Sequence, residues 1–332
     1  MEKIRWGILG CGKIANKFAA DLAFVEDAHL VAVASRDGQR AMAFAEVYGA
    51  PFAFDSYEAL VQSEHVDVIY IATPHGMHHE HTLLCLRHKK AVLCEKALAL
   101  NSAQVTAMIR EAKANQAFLM EAFWTKFLPH YQKVSSLIQS GEIGDIRMVQ
   151  ADFGFRADDP TPQRFYDPLL GGGALLDIGI YPVWLAITLL GRPVEVKALM
   201  QPYETGVDKQ IAINFKFENG ALASLNASFD VETPVEAVIV GTKGAITMRN
   251  RFFNTTSSLE LAMGKERAQH IRLDKPEGNG YQFEARHVGE CLRNHLIESP
   301  VMRHADSLLL METLDRIRQQ CGIVYPVDAI KH

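Results

Sequence analysis

The sequence predicts an α/β amino-terminal domain followed by an α+β domain built on a mostly antiparallel open sheet. Three observations predict it. Up to about residue 122, short apolar runs alternate with helical patterns, as in a parallel sheet covered on both faces. The first of these runs enters a glycine turn that opens a helix. Beyond residue 122 the pattern changes to period-2 segments joined by short connections rich in Gly and Asn. The predicted domains are 1–122 and 123–332.

In order, Ile4 to Leu9 reads as a buried strand, Ile14 to Phe24 as a helix and Leu30 to Ala34 as the second strand. Gln39 to Tyr48 is helical and stops at Gly49. Val66 to Ala72 is a third buried strand, His79 to Arg87 a helix and Ala91 to Cys94 a fourth strand. Ser102 to Asn115 reads as a helix capped by Ser102, and Ala117 to Glu121 as a strand. In the second domain a helix from His130 to Gln139 ends at Gly141, and a long strand runs from Ile146 to Phe155. A polar stretch, Arg156 to Pro168, precedes Gly171-Gly172-Gly173 and a helix from Ala174 to Leu190. Period-2 strands include Gln210 to Phe217, Ala221 to Phe229 and Glu236 to Val240. Two helices follow, Tyr281 to Ile297 and Ala305 to Gln320.

Composition narrows the function. Hydrophobic residues make up 48% of the 332 and net charge is −5, which gives ample core and no basic footprint for nucleic acid. No apolar run is expected to reach the roughly 20 residues of a membrane helix. The amino terminus has no signal-peptide flanks. Five scattered cysteines without a C-x-x-C pair point to reduced thiols and a cytoplasmic location.

The turn Gly10-Cys11-Gly12-Lys13-Ile14-Ala15 is G-x-G-x-x-A, a form of the dinucleotide fingerprint. Gly10 permits the tight turn. Gly12 lets backbone amides approach a pyrophosphate, and Ala15 allows close helix–strand packing. The following helix N-terminus offers N–H groups and partial positive charge to the anion. The strand–turn–helix context is the one the motif requires. Cys11 is read as a small turn residue only. NAD binders place a carboxylate at the end of the second strand for the ribose 2′-hydroxyl. Here Ser35 and Arg36 stand there, which favours a 2′-phosphate and hence NADP, with NAD the alternative should Asp37 turn inward.

Further landmarks follow. Ile71-Ala72-Thr73-Pro74 with His78 comes after the third strand, and Cys94-Glu95-Lys96 after the fourth. Together with Gly171 to Tyr181 they resemble the Gfo/Idh/MocA family of sugar and inositol oxidoreductases, over nearly the whole chain. Tyr181 and the Glu121-Ala122-Phe123-Trp124-Thr125-Lys126-Phe127 segment are most similar to its branch of dimeric dihydrodiol and NADP-dependent D-xylose dehydrogenases. The resemblance implies a Rossmann domain and an open sheet that mediates homodimer or homotetramer formation. It also implies cofactor contacts at Thr73, Pro74, His78, Glu95 and Lys96, beside Gly10, Gly12, Lys13, Ile14, Ser35 and Arg36. Where the family motif is Glu-Lys-Pro, Ala97 follows Lys96, which predicts a less rigidly placed lysine.

Ends of parallel strands face the ligand crevice, so Lys96 is expected at the cofactor. Asp177 and Tyr181, spaced i and i+4, share a helix face. Oxidation of a hydroxyl removes a hydride from carbon and a proton from oxygen. Tyr181 is the expected general acid/base, Lys96 the group that favours its phenolate and stabilises the oxyanion, and Asp177 a partner of substrate or of Lys96. Trp124, Phe127, Phe153, Phe155 and Arg156 are candidates for contact with a small sugar or cyclic diol. Arg164 reads as a solvated loop residue. His75 and His79 have a zinc-compatible spacing, but the segment leaves a strand at the cofactor crevice, so no metal is expected, and His78 is expected to hydrogen-bond locally. The expected function is NADP-dependent hydride transfer on a hydroxyl. The alternatives are NAD-assisted glycoside hydrolysis and a non-catalytic dinucleotide sensor.

Overall fold

The computed structural model describes residues 3–157 and 163–329, so 158–162 of the predicted polar stretch lie outside the described residues. Packing divides the chain into two compact units, Met1–Lys126 with Pro276–Leu308, and Phe127–Lys275 with Leu309–His332. The sequence placed all of 123–332 in the second domain; in space, 276–308 returns to the first.

In the first unit the strands are β1 (Ile4–Leu9), β2 (Ala28–Ala34), β3 (Phe52–Phe54), β4 (Val68–Ile71), β5 (Ala91–Glu95) and β6 (Leu119–Ala122). Among the described residues they form one sheet in the order β3-β2-β1-β4-β5-β6, every pair parallel. The helices between them are α1 (Lys13–Leu22), α2 (Gly38–Tyr48), α3 (Tyr57–Gln62), α4 (His75–Arg87) and α5 (Ser102–Asn115). The strand order reverses between β1 and β4, which fixes the ligand crevice at their carboxyl ends. β3 and α3 went unread in the sequence, because three to six residues are too few to establish a period. The cap of α5 is Asn101, whose side chain accepts from the Gln104 amide at 2.9 Å; Ser102 is instead the first helical residue.

β4 and β5 are buried along their whole length, and Phe18 of α1 stacks on Tyr70 of β4 with ring centroids 3.7 Å apart. Asp21, fully buried on α1, explains the return of 276–308. Its carboxylate accepts from the backbone amides of Asn279 (2.9 Å), Gly280 (2.8 Å) and Tyr281 (2.8 Å), the entry to the helix Tyr281–Arg293. Nothing local marks Asp21 for this task, since its partners lie about 260 residues away.

The second unit holds α6 (Pro129–Gln139), β7 (Ile146–Gly154), α7 (Ile180–Leu190) and the strands β8 (Glu195–Pro202), β9 (Asp208–Lys216), β10 (Leu222–Ser228), β11 (Ala237–Gly241), β12 (Gly244–Arg249), β13 (Ser258–Met263) and β14 (Gln269–Ile271). They form a sheet in the order β14-β13-β12-β11-β7-β10-β9-β8. Its pairs are antiparallel except β7 with β10. Alternate residues of β9 and β10, Ile211, Ile213, Phe215, Ala223, Leu225 and Ala227, point into the core. α7 lies on that face.

Two expectations change here. The segment Pro168–Leu190 is long and apolar enough to cross a membrane, contrary to the sequence reading; with 78% of its apolar window buried inside the protein, it is the core element of this unit. The expected single helix from Ala174 to Leu190 is a π turn, Leu175–Gly179, leading into α7. A π turn winds an extra residue into the helix. Asp177 therefore sits in that turn and Tyr181 in the α-helix after it, rather than on one uniform α-helical face.

Candidate active site

The phosphate-binding turn joins β1 to α1. Gly10 has φ +98°, and a Cβ there would lie 2.9 Å from Thr73 Cγ2, so only glycine fits. At Gly12 a Cβ would come no nearer than 3.9 Å to another residue, so the protein's own packing does not demand glycine at that position. Gly12 is the N-cap of α1 and supplies no side-chain cap, which leaves the first amides of the helix to an outside acceptor. Both features fit a pyrophosphate. Ala15 is fully buried, while Lys13 is exposed and Ile14 half-buried beside the turn. The Cys11 thiol points to the Ala34 carbonyl at 3.6 Å, and burial pushes it up to about 11, so it stays protonated.

At the end of β2, Ser35 is buried and its hydroxyl accepts from the Asp37 amide at 3.2 Å. Asp37 does not turn inward: its carboxylate caps α2, accepting from the Arg40 amide at 3.1 Å. Arg36 and Arg40 are both exposed here. Arg36 hydrogen-bonds the Tyr57 phenol, which burial raises above its ordinary value while both guanidiniums oppose the rise. Arg40 and Tyr57 were missed in the sequence. The usable signal was the i, i+4 spacing of Arg36 and Arg40 across a helix start; Tyr57 is brought in by α3 and carried none.

After β4, Thr73 and Pro74 open the turn into α4, with Pro74 its N-cap. His78 is fully buried and joins two loops: Nε2 is 2.7 Å from the Thr73 carbonyl and Nδ1 2.8 Å from the Ala97 carbonyl. Burial lowers His78 to about 4, so it is neutral. His81 contacts the Thr73 hydroxyl at 3.0 Å and the edge of the Tyr57 ring, and is also lowered to about 4, first by burial and then by Arg36. His75 and His79 are half-buried on the same helix. Among the described residues no group of three or more His, Cys, Asp or Glu is arranged to hold a metal.

After β5, Glu95 is buried and accepts from the Tyr70 hydroxyl in a short hydrogen bond and from the Lys96 amide at 3.3 Å. The Lys96–Ala97 peptide bond is cis. Ala97, where a less rigid loop was expected, is fully buried; its carbonyl meets His78 and the next amide, Leu98, donates to Glu121 at 3.0 Å. Neighbouring side chains thus hold the loop that carries Lys96. Trp124, also in this unit, stacks on Tyr281 at 4.7 Å and 4° between planes.

The second unit carries Asp177 and Tyr181. Asp177 pairs with Arg164 at 3.2 Å, so the arginine read as solvated holds a candidate site residue. Tyr181 is 6% exposed and lies against Phe253 (4.6 Å) and Phe153 (5.8 Å). Phe253 was missed, because it sits in a loop without periodicity. Phe155 packs on Phe229 and Phe165, so it belongs to an aromatic cluster of this unit, and the Arg156 amide donates to Glu232 at 3.1 Å. The start of the helix is anchored by Asp208, fully buried on β9, which accepts from the Leu175 amide at 2.6 Å. Burial raises Asp208 to about 6, against the Leu175 hydrogen bond.

A glycine turn on uncapped helix amides, a cationic edge beside the second strand and a buried lysine loop define a dinucleotide-dependent oxidoreductase. Family models agree: residues 4–123 match the oxidoreductase family with an NAD-binding Rossmann fold, and residues 131–247 match the GFO/IDH/MocA C-terminal domain. The chain belongs to the GFO/IDH/MocA family of oxidoreductases. It is 38% identical to trans-1,2-dihydrobenzene-1,2-diol dehydrogenase of Xenopus tropicalis, covering 97% of this chain and 99% of the relative. The protein of that name from Homo sapiens is 36% identical, covering 98% and 99%. Among solved structures, the aldose-aldose oxidoreductase of Caulobacter crescentus, complexed with glycerol, matches with a TM-score of 0.88 at 26% identity, covering 97% of this chain and 98% of that one. A 3-ketoreductase of Actinomadura kijaniata in complex with NADP and TDP-benzene matches at 0.86 and 26%, covering 96% and 98%.

Proposed function

We propose that this protein is an NADP-dependent dehydrogenase that oxidises one hydroxyl of a cyclic diol or sugar, reversibly. The observation that carries the reading is the full-length match, across both units, to dehydrogenases of a cyclic trans-diol. NADP is favoured because Arg36 and Arg40 bring two guanidiniums to the end of β2 while the nearest carboxylate, Asp37, is held as a helix cap. When bound, the nicotinamide supplies the hydride acceptor. Tyr181 takes the hydroxyl proton as the carbon–oxygen double bond forms, and returns it in the reverse direction. The Lys96 ammonium stabilises the developing oxyanion. Asp177, oriented by Arg164, accepts a hydrogen bond from a substrate hydroxyl. The protein acts in the cytoplasm as a homodimer or homotetramer.

The test is the nicotinamide absorbance change with NADP⁺ and with NAD⁺ against trans-dihydrodiols, pentoses, hexoses and inositols. NADP⁺ reduction by a diol or sugar is expected. Tyr181→Phe is expected to lower kcat by about a hundredfold or more with the Kd for NADP⁺ unchanged. Turnover that survives in Tyr181→Phe removes the tyrosine from its role. The pair Arg36→Ala and Arg40→Ala is expected to weaken NADP⁺ by about tenfold or more and leave NAD⁺ unaffected, since a charge-assisted contact contributes about 1.5–3 kcal/mol. Equal loss for both cofactors is the result that sinks NADP selection by these residues.

A further inference from the structure

Beneath the lysine loop lies a carboxyl group that takes no part in the chemistry proposed above. Glu121, on β6, is 2% exposed and stands opposite Cys94 in the β5–β6 register. One oxygen, Oε1, accepts from the Leu98 amide at 3.0 Å, two residues beyond Lys96. The Ser307 hydroxyl also hydrogen-bonds the carboxylate, while Oε2 is buried and has no hydrogen-bond partner among the described residues. A purely structural clamp for one amide would be served by Gln, or by a polar group left in contact with water. A fully buried acid there is costly unless its charge is used.

We infer that Glu121 is the positioning residue of the Lys96 loop: its carboxylate holds the Leu98 amide and stabilises the Lys96 ammonium, so that the dehydrogenase site is complete only while Glu121 is ionised. The inference rests on the dehydrogenase reading for its effect on turnover, but the coupling of Glu121 to Lys96 stands independently of it. The charged and titratable groups around Glu121 set the balance. Burial raises it to about 7; the Ser307 and Leu98 hydrogen bonds and the Lys96 cation lower it, and the Glu95 carboxylate raises it. The Cys94 thiol opposite is pushed well above its ordinary value and is neutral. Glu95 in turn faces Glu284, a fully buried carboxyl that burial raises well above its ordinary value, Glu95 adding to the rise. From the helix that supplies Ser307, His304 meets the Leu119 carbonyl of β6 at 2.9 Å, and burial lowers it below its ordinary value. The Lys96 ammonium is thus the cation that acts on Glu121, and the Glu95 carboxylate the anion that opposes it. Because coupling is reciprocal, what the ammonium does for the carboxylate the carboxylate does for the ammonium.

The experiment uses the full chain and two readouts. First, the carboxyl carbon of ¹³C-labelled Glu121, assigned by its loss in Glu121→Gln, is titrated by NMR in the wild type and in Lys96→Met. Removing the cation, the weakest of the influences on Glu121, is expected to raise its titration by roughly a few tenths of a pH unit. Second, kcat/KM is followed from pH 5.5 to 9. The wild type is expected to gain activity through about pH 7. Glu121→Gln, which keeps the shape and the acceptor for Leu98, is expected to lose that step and to be about tenfold slower at high pH, a difference of about one charge-assisted hydrogen bond. A Glu121 titration unmoved in Lys96→Met, or a Glu121→Gln profile with the step intact, overturns the inference. Coupling without turnover of any diol or sugar upholds the anchor and overturns the dehydrogenase reading instead.

Discussion

The Lys96 loop of the first unit and the Tyr181 helix of the second are held in place by the same kind of group in opposite electrostatic settings. Glu121 and Asp208 are both fully or almost fully buried carboxyls, each accepting from a backbone amide just beyond or just before a candidate catalytic residue. Each is raised by burial, to about 7 and about 6. Around Glu121 the opposing influences include a cation and a second carboxylate, Lys96 and Glu95. Around Asp208 they are backbone amides only, those of Leu175 and of Asp208 itself. An anchor that answers to fixed backbone dipoles is a permanent peg. An anchor that answers to side-chain charges depends on the protonation of its neighbours. The difference lies in what surrounds each anchor: charged neighbours under the loop that carries Lys96, backbone amides at the start of the helix that carries Tyr181.

The largest effect that can break this comparison is expected at Gly173. Its φ is +116°, and a Cβ there would collide with Asp208 Oδ1. Gly173→Ala is expected to destabilise the second unit by about 3 kcal/mol or more, a fall in Tm of roughly 10 °C. A loss below about 1 kcal/mol in thermal unfolding would show that Asp208 does not fix the helix start.

Next comes pH dependence at Glu121. Its folded value of about 7 lies above the ordinary 4.5, so the folded state holds a proton that the unfolded state has released. Its stabilising contribution is therefore complete below about pH 4.5 and is lost as pH rises through 7. That difference corresponds to at most about 3 kcal/mol. Glu121→Gln, with no proton to lose, is expected to be more stable than the wild type at pH 8 and to approach it near pH 4.5. Parallel stability curves for the two proteins would remove the buried titration.

The smallest expected effect is at Asp208, raised from 3.8 to about 6. The sign is the same: its contribution is full below about pH 3.8 and is lost through pH 6. Asp208→Asn keeps an acceptor for the Leu175 amide and is expected to flatten the stability curve between pH 4 and 6, with turnover above pH 7 changed by less than about threefold. A pH step in kcat that vanishes in Asp208→Asn would put the peg and the coupled anchor in one class and dissolve the contrast between the units.

Much of the cofactor half is legible in the sequence. The turn Gly10 to Ala15, the alternation of apolar strands with helices and the absence of a carboxylate at Ser35 are local patterns, and the strand order and turn geometry agree with them. Asp37 is ambiguous in sequence because an aspartate at a helix start serves equally as cap or ribose ligand; only the position of its carboxylate on the Arg40 amide decides. Arg164 reads as a loop charge, and only its contact with Asp177 gives it a role. Trp124, expected against substrate, stacks on Tyr281, about 160 residues away in sequence.

The sequence by itself determined the two kinds of sheet and the glycine turn, and singled out Lys96, Asp177 and Tyr181 as candidates, because period, glycine placement and motif spacing act over a few residues. Tertiary structure alone decided that 276–308 rejoins the first unit through Asp21, that the Asp177 segment winds as a π turn, and that Glu121 and Asp208 are buried acids beside the Lys96 loop and the Asp177 turn. Each of these depends on which distant amide or charge faces a side chain. Burial turns that juxtaposition into a hydrogen bond or a raised carboxyl, and a one-dimensional pattern carries no record of it.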